Sequence, residues 1–246
     1  MSWEQVLNDL ETGKVRSANC VNGQWVANVE VKQSILAAFK AGELKEMNGF
    51  VDKHNLMPQH FDVARGVRVV PGGTSVRRGS YVAKGVIIMP PAYINVGAYV
   101  DEGTMVDSHA LVGSCAQIGK RVHLSAGVQI GGVLEPVGLA PVVIEDDVFV
   151  GAGSVIVEGI IVRRRAVIAP GVILSKAVPV YDAVSGKVLP RGSEIPENAV
   201  VVPGTRPISK DLSWAREQGL GLSCAIIIKY RDEKSDASLA LEDFLR

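Results

Sequence analysis

A six-residue repeat of aliphatic residues runs through the middle of this chain and restricts its fold more than any other feature. Counting in sixes from position 70, eleven successive positions up to 130 hold valine, isoleucine or leucine. Positions two residues earlier are small or β-branched after the first, Arg68, and glycine recurs one or three residues after many of the aliphatic ones. A period of six does not follow one face of a helix with 3.6 residues per turn, and glycine disfavours helices. The repeat therefore predicts very short strands separated by tight turns.

Short strands of this kind place the aliphatic residue inward and its neighbours outward, and glycine allows a sharp corner after each strand. Three hexapeptides close one triangular coil. Coils stacked about 4.8 Å apart pair their backbones and bury a column of valine and isoleucine, residues that suit a pleated and packed surface. We therefore predict a mainly β fold built on a parallel β-helix.

Two interruptions break the repeat. The frame slips by two residues at 134–141 (LEPVGLAP) and resumes through Val180. It breaks again at about 181–194 and returns for the last time at Ile195 and Val201. These interruptions predict loops that leave the solenoid, which we expect to end near position 203.

Both ends of such a solenoid expose unpaired strand edges and need caps. Residues 1–12 and about 30–47 have helical apolar spacing, and NGQW between them predicts a turn joining short strands. Near the end, LSCAIIIKY predicts a strand and SLALEDFLR a short amphipathic helix. We expect an α/β cap over 1–66, the β-helix over 67–203 and a C-terminal segment with a strand and a short helix over 204–246.

Charge and cysteine content exclude several classes of function. Lys+Arg and Asp+Glu both number 26, so no overall basic field attracts nucleic acid. The three cysteines lie far apart in sequence without CxxC spacing, a pattern that fits a reducing cytosol. The N-terminus has no apolar signal region, and no stretch approaches 18 uninterrupted apolar residues. We expect a cytoplasmic protein that binds neither nucleic acid nor membrane.

A set of longer motifs identifies a family. VRVVPGG, AYINVGAYVDEGTMVDS, VGSCAQIGKRVHLSAGVQIGGVLEP, VIEDDVFVGAGS and VEGIIV follow one another within the repeat, with GQWV before them and SCAIIIKYRDEK after them. Over nearly its whole length the chain resembles the tetrahydrodipicolinate N-succinyltransferases. The resemblance implies a left-handed β-helix, an exception to the usual right-handed crossover, and a homotrimer with active sites between subunits. It further implies transfer of a succinyl group from succinyl-CoA to the amino group of ring-opened tetrahydrodipicolinate, a dicarboxylic amine. We expect no permanently bound cofactor.

Direct aminolysis of a thioester needs a neutral amine, a proton acceptor and donors facing the developing oxyanion. Asp107 follows the inward Val106, so its carboxylate should point outward, where it could bind and deprotonate the amine; the resemblance implies substrate binding there. Arg68 matches the family arginine that binds a substrate carboxylate, a role that suits a guanidinium fork. Glu158, in VEG at a coil corner, is the second catalytic candidate. Counting repeats places Glu158 on a different face from Asp107, so the two would meet only across a subunit boundary.

Two positions depart from the family pattern. Family members often have a glutamate where this chain has Val155, and a bulky aromatic residue where it has His109. If that glutamate is the proton acceptor elsewhere, Glu158, Asp107 or water must serve here. His109 is a further candidate because histidine titrates near neutrality.

Weaker candidates complete the set. Lys210, in RPISKD, lies in a segment that could approach CoA and is our candidate cofactor-binding residue. The basic run 163–165 fits either a solvated corner or a contact to CoA phosphates. Cys115 is expected to be structural, because nothing near it in sequence predicts a lowered thiol pKa.

Three other functions remain open from the sequence. The first is an acyltransferase that uses acetyl-CoA or another amine acceptor, including a relative recruited to secondary metabolism. The second is a zinc hydrolyase like the γ-type carbonic anhydrases, but only His109 and His123 lie within the repeat, and we expect no metal site. The third is a non-catalytic solenoid, against which the matching positions of Arg68 and Asp107 argue.

Overall fold

A small cap of two helices and two hairpins precedes the repeat. The computed structural model describes residues 2–47, 49–209 and 211–231. The elements are α1 (Trp3–Glu11), β1 (Ala18–Val21), β2 (Gln24–Ala27), α2 (Val29–Ala41), β3 (Leu44–Met47) and β4 (Phe50–Lys53). The side chains of Ser2 and Asn28 accept hydrogen bonds from the first turns of α1 and α2, the N-cap arrangement that satisfies free N–H groups. The predicted turn at NGQW is confirmed: Asn22 and Gly23, both with positive φ, connect β1 to β2.

The predicted helix over about 30–47 is wrong beyond Ala41. Gly42 takes an extended backbone conformation, and residues 44–47 pair with 50–53 in an antiparallel hairpin. The side-chain amide of Asn55 donates a 2.7 Å hydrogen bond to the carbonyl of Ala38, which also accepts the backbone N–H of Gly42 at the helix end. Glycine is a poor helix former, so this tertiary partner and the hairpin prevail over the apolar spacing.

The aliphatic repeat forms two-residue strands in three parallel sheets. In chain order the strands are β5 (Arg68–Val69), β6 (Ser75–Val76), β7 (Tyr81–Val82), β8 (Ile87–Ile88), β9 (Tyr93–Ile94), β10 (Tyr99–Val100), β11 (Met105–Val106), β12 (Leu111–Val112), β13 (Gln117–Ile118), β14 (His123–Leu124), β15 (Gln129–Ile130), β16 (Val143–Ile144), β17 (Phe149–Val150), β18 (Val155–Ile156), β19 (Ile161–Val162), β20 (Val167–Ile168) and β21 (Ile173–Leu174). Every third strand belongs to the same sheet. We call the sheet that begins with β5 face 1, the one that begins with β6 face 2 and the one that begins with β7 face 3.

Stacking of the coils produces the core. Successive coils pair in parallel at a distance of eighteen residues, as Tyr99 pairs with Gln117 and Val100 with Ile118. Val106, Val112 and Ile118 occupy faces 1, 2 and 3 of one coil and are completely buried. This is the predicted left-handed parallel β-helix, with one column of aliphatic side chains along its axis.

The register differs from the count in sixes at two places. Val69, not Val70, pairs with Ile88, because the PGG turn that follows adds one residue to the first coil. Val180 does not take the next position on face 3; Ile195 does, through a parallel bridge to Val162. Residues between them leave the solenoid as a hairpin, so the repeat continues only after it.

The last described strands extend face 1. They are β22 (Val180–Asp182), β23 (Lys187–Val188), β24 (Ala199–Pro207) and β25 (Gly221–Tyr230), with the short helix α3 (Ser213–Glu217) between the last two. β24 pairs in parallel with β20 through Val200 and Val201 and then antiparallel with β25, which confirms the predicted C-terminal strand. β24 runs past position 203, and the division of the chain at 66 and 203 stays a prediction. The predicted helix SLALEDFLR lies outside the described residues.

Within the described part of the chain, no helix has both the length and the apolar character needed to cross a lipid bilayer.

Candidate active site

The N-terminal cap covers face 3 and the corner that joins faces 2 and 3. The guanidinium carbon of Arg16 lies 3.7 Å from the ring centroid of Tyr99, and its Nε donates a 2.9 Å hydrogen bond to Gln117. Val96 and Cys115, at successive turns of that corner, pack with the buried residues of α1 and α2. The candidate residues Arg68 and Asp107 lie on the other side of the solenoid, along face 1 and at its junction with face 2.

Asp107 stands at the corner that joins faces 1 and 2, directly after β11. Its Oδ1 accepts a 2.7 Å hydrogen bond from the backbone N–H of Ser108, which orients the carboxylate. Among the described residues, Oδ2 makes no hydrogen bond, so this oxygen is available to a ligand. His109 completes the same turn with a φ of 61° and an exposed side chain, and its N–H donates to the carbonyl of Pro91. The corner therefore presents a half-buried carboxylate beside an exposed imidazole.

Arg68 lies on the outward side of face 1. The register shift described above makes it the residue directly before inward Val69, in line with Ile87 and Met105 of the next two coils. At about 4.8 Å per coil, Arg68 lies roughly 10 Å from the level of β11, measured along the solenoid axis. The structure therefore places Arg68 and Asp107 on the same side of the solenoid, two coils apart.

Glu158 lies at the corner that joins faces 2 and 3, two coils beyond Asp107. It follows β18, is exposed, and accepts a 2.8 Å hydrogen bond at Oε2 from the backbone N–H of Lys176. The structure separates Glu158 from Asp107 by the whole of face 2, in agreement with the count of repeats.

A groove of about 690 Å³ opens beside Glu158. One wall is the segment 134–141, which we call the corner loop and which contributes Glu135 and Leu139. Two cations also line the groove: Lys176, which follows β21, and Arg191, from the segment that leaves the solenoid. The lining of the groove thus includes the buried Val133, the carboxylates of Glu135 and Glu158, and the cations Lys176 and Arg191.

Comparison with known proteins shows to which family this chain belongs. Residues 2–41 match the model of the tetrahydrodipicolinate N-succinyltransferase N-terminal region, and residues 141–176 match that of the hexapeptide repeat of succinyl-transferase. A 2,3,4,5-tetrahydropyridine-2,6-dicarboxylate N-succinyltransferase of Ralstonia nicotianae is 45% identical over 98% of this chain and 87% of its own length. The chain belongs to the tetrahydrodipicolinate N-succinyltransferase family. The predicted family is confirmed.

Two further relatives define the range of similarity within and around this family. Protein TabB of Pseudomonas amygdali pv. tabaci is 53% identical over 99% of this chain and 88% of its own length. The crystal structure of a putative 2,3,4,5-tetrahydropyridine-2-carboxylate N-succinyltransferase of Campylobacter jejuni aligns with a TM-score of 0.57 at 17% identity. It covers 92% of this chain, which spans 63% of that longer protein, and it supports the fold alone.

The position where family members often carry a glutamate is apolar in this member. Val155 is half-buried on the outward side of face 2, in line with Gln129 and Ile173 of the neighbouring coils. Because none of these three side chains ionises, this part of face 2 offers no group that could accept a proton. This part of face 2 therefore does not supply the base, and Asp107, Glu158, His109 or water stay the candidates.

The basic run at 163–165 is largely engaged in structural contacts. Arg163 forms ion pairs of 2.7 Å with Glu145 and 2.6 Å with Glu194, and the hydrogen bond that it donates to Glu194 is the main reason that its pKa is raised. The Nε of Arg165 donates to the side chain of Asn198. Arg164 is the exposed member of the run. These contacts favour the corner interpretation over phosphate binding.

The remaining candidates have simple positions. Burial raises the pKa of the Cys115 thiol to about 11, so the residue is structural rather than nucleophilic. On face 1 the ring of His123 contacts that of Phe149, with the centroids 5.0 Å apart and the planes tilted by 57°. Lys210 lies outside the described residues. Across 2–47, 49–209 and 211–231, no group of three or more His, Cys, Asp or Glu side chains is arranged to hold a metal ion.

Sequence reasoning missed three residues around the groove. Lys176 follows β21, Arg191 lies on the insertion that interrupts the repeat, and Lys32 reaches the corner loop from α2. Of the three, only Lys32 carried a signal in the sequence, as a cation on an otherwise apolar helical stripe. Its partner, Leu139, is 107 residues away, so the sequence does not identify the contact.

Proposed function

We propose that this protein transfers the succinyl group of succinyl-CoA to the amino group of ring-opened tetrahydrodipicolinate, a step of diaminopimelate and lysine biosynthesis. The observation that carries the proposal is the placement of Arg68 and Asp107 on one side of the solenoid in a member of this family. Relatives that carry the name of this N-succinyltransferase are 42% to 45% identical over 98% of the chain. A cytoplasmic location follows from the proposed pathway.

The reaction uses the two residues in different ways. The guanidinium group of Arg68 binds one carboxylate of the substrate through paired hydrogen bonds. Asp107 holds the amine and accepts its proton as the nitrogen attacks the thioester carbonyl. The new C–N bond forms, the tetrahedral intermediate collapses with cleavage of the C–S bond, and CoA leaves as the thiol. No covalent acyl-enzyme is required.

The active site is proposed to form between subunits of a homotrimer. Outward positions of faces 1 and 2 are mainly apolar, and in a single chain their side chains stay partly exposed. They include Ile87, Met105, Phe149, Val167, Leu111, Val155 and Ile173. A contiguous apolar surface of this kind is typical of a protein interface, and rotational symmetry would repeat it at three equivalent contacts. Such packing brings the Asp107 corner of one subunit towards the Glu158 groove of its neighbour.

Assignment of the proton acceptor follows from Val155. Because the family glutamate is absent there, Asp107 is proposed as the base, with Glu158 of the neighbouring subunit completing the catalytic pair. His109, on the same turn as Asp107, is the next candidate. Titration of kcat distinguishes an imidazole from a carboxylate, since their ordinary pKa values differ by about two units.

Acyl-CoA is proposed to bind as a cosubstrate rather than as a resident cofactor. The groove beside Glu158 has room for an extended ligand, and Lys176 and Arg191 supply positive charge at its edge. Lys210 stays a candidate for contact with CoA. Each of these three cations suits phosphate groups, which bind Lys and Arg through charge-assisted hydrogen bonds.

A second candidate function is an N-acyltransferase with another acyl donor or amine acceptor. The observation that favours it is that TabB, which does not carry the name of the succinyltransferase, is 53% identical, against 45% for the Ralstonia enzyme. The loss of the family glutamate at Val155 points in the same direction.

Steady-state turnover with succinyl-CoA and acetyl-CoA separates the two functions. With 2-aminopimelate as a stable open-chain acceptor, release of free CoA is followed by chromatography. We expect kcat/KM for succinyl-CoA to exceed that for acetyl-CoA by about a hundredfold or more. A site that binds the terminal carboxylate of the succinyl group discriminates strongly against an acetyl group, which lacks it. A preference for acetyl-CoA, or no turnover of the acceptor, would contradict the succinyl assignment.

A further inference from the structure

A completely buried lysine joins the N-terminal cap to the proposed active site. Lys32, on the inner side of α2, has 0% of its surface exposed, although lysine is almost never fully buried without a partner. Its neighbours on the same helix, Val31 and Ile35, belong to the apolar cluster between cap and solenoid. Burial lowers the pKa of Lys32, which reflects the cost of holding a charge there.

The partner of Lys32 is a backbone carbonyl of the corner loop. Its Nζ donates a 2.6 Å hydrogen bond to the carbonyl of Leu139, across 107 residues of sequence. The proposed reaction does not use this lysine, which lies on a helix outside the solenoid. Burying a charged ammonium group against a single carbonyl is costly. A role in holding the loop in place accounts for a buried lysine at this position.

The corner loop forms one wall of the groove that contains Glu158. Leu139 lines that groove directly, and its N–H donates to the carbonyl of Pro136 within the loop. The loop is anchored at its start by the hydrogen bond from Val133 to Ser114. The bond from Lys32 therefore ties the far part of the loop to an element outside the solenoid.

We infer that Lys32 is a positioning residue: by fixing the carbonyl of Leu139, it sets the wall of the groove beside Glu158 and thereby the affinity for acyl-CoA. The inference rests on the proposed function, since it requires the groove to be part of the active site. A displaced wall weakens binding of the ligand in the ground state and the transition state alike, which raises KM and leaves kcat nearly unchanged.

Replacement of Lys32 by methionine tests this role, because methionine fills similar volume without a donor. For Lys32→Met we expect KM for succinyl-CoA to rise about tenfold with kcat within about twofold of wild type. Lys40→Met is the matched control: Lys40 lies on the same helix but is exposed, and the variant should have wild-type kinetics. Amide exchange should become faster at 134–141 in Lys32→Met alone.

Further variants keep the test decisive. If Lys32→Met does not fold, Lys32→Gln, which keeps a shorter and uncharged donor, replaces it with the same expected rise in KM. A folded variant with unchanged KM and unchanged exchange at 134–141 would overturn the inference. Glu158→Gln separates failure of the Lys32 inference from failure of the proposed active site in the groove. If Glu158→Gln is impaired while Lys32→Met is normal, only the Lys32 inference fails. If Glu158→Gln is as active as wild type, the groove is not part of the active site, and both the proposed site and the Lys32 inference fail.

Discussion

Asp107 and Glu158 lie at different corners of one solenoid, two coils apart and separated by the whole of face 2. Asp107 follows a strand of face 1, whereas Glu158 follows a strand of face 2. The core of the solenoid is filled with buried aliphatic side chains, so the two carboxylates cannot approach each other through it. A reaction that uses both groups on one substrate therefore requires two subunits.

Removal of the Asp107 carboxylate is expected to abolish turnover without unfolding the protein. Asp107→Ala should lower kcat/KM by about a thousandfold or more, because the amine loses both its partner and its proton acceptor. Asp101→Ala is the matched control: Asp101 accepts an equivalent 2.8 Å hydrogen bond from the next backbone N–H, but at a corner of face 3. Near-normal turnover in Asp107→Ala would contradict the proposed site.

Loss of the Arg68 guanidinium is expected to weaken binding of the dicarboxylic acceptor. Arg68→Met should raise KM for 2-aminopimelate about tenfold to a hundredfold, and Arg68→Lys should recover only part of this, since an ammonium group cannot form the paired contact. The control is Arg164→Met, which removes an exposed arginine from another corner. Equal effects of Arg68→Met on KM for succinyl-CoA and for the acceptor would argue against the carboxylate role.

The three thiols should differ sharply in reactivity. Cys20 is exposed, whereas Cys115 and Cys224 are buried, and burial raises the pKa of Cys115 to about 11. At pH 8 we expect one fast-reacting thiol per folded chain with a disulfide reagent, because the thiolate is the reactive form. Cys20→Ser should remove the fast phase. A second fast thiol in the native protein would show that Cys115 or Cys224 is not protected by burial, and Cys115→Ser would tell which of the two reacts.

Acid should remove the stabilising effect of Asp182 in the hairpin β22–β23. The hydroxyl of Ser185 donates a 2.6 Å hydrogen bond to this carboxylate, and this bond is the main reason that the pKa of Asp182 lies below its ordinary 3.8. The ionised form is favoured in the folded state, so the contribution is complete above pH 3.8 and is lost as pH falls through the lower folded value.

Comparison of Asp182→Asn with wild type measures this contribution. The variant should be less stable by about 1 to 3 kcal/mol near neutral pH, as expected when hydrogen bonds to a charged group are weakened. The difference in the free energy of unfolding should narrow below pH 3.8. A difference that stays constant into the acid range would mean that ionisation of Asp182 does not matter.

The repeat was sufficient to predict the solenoid because its regular spacing assigns each inward valine or isoleucine to one face of a coil. The prediction failed where the chain leaves that period: Val69 takes the inward position expected for Val70, just before the PGG turn, and Ile195 takes the position expected for Val180. Gly42 similarly ends α2 earlier than apolar spacing indicated. These errors share one cause, since turns and insertions change the register without changing residue type.

The candidate site was predictable only in part. The resemblance pointed to Arg68 and Asp107, the coil corner in VEG pointed to Glu158, and counting repeats placed Asp107 and Glu158 on different faces. The contact between Lys32 and Leu139 could not be predicted, because it joins a cap helix to a loop 107 residues away. Arg191 was missed because the insertion that carries it has no repeat from which to infer its position, and Lys176 because its place just after β21 does not by itself indicate a groove.

The most direct test of a site shared between subunits is activity in mixed trimers of two inactive variants. Asp107→Ala and Glu158→Ala are purified separately, confirmed to be folded and inactive, and then dissociated and reassembled together in equal amounts. Random assembly leaves about one interface in four with an intact Asp107 from one subunit and an intact Glu158 from its neighbour, so about a quarter of wild-type activity should return. If the mixture stays as inactive as each variant alone, the two residues do not act in one intersubunit site.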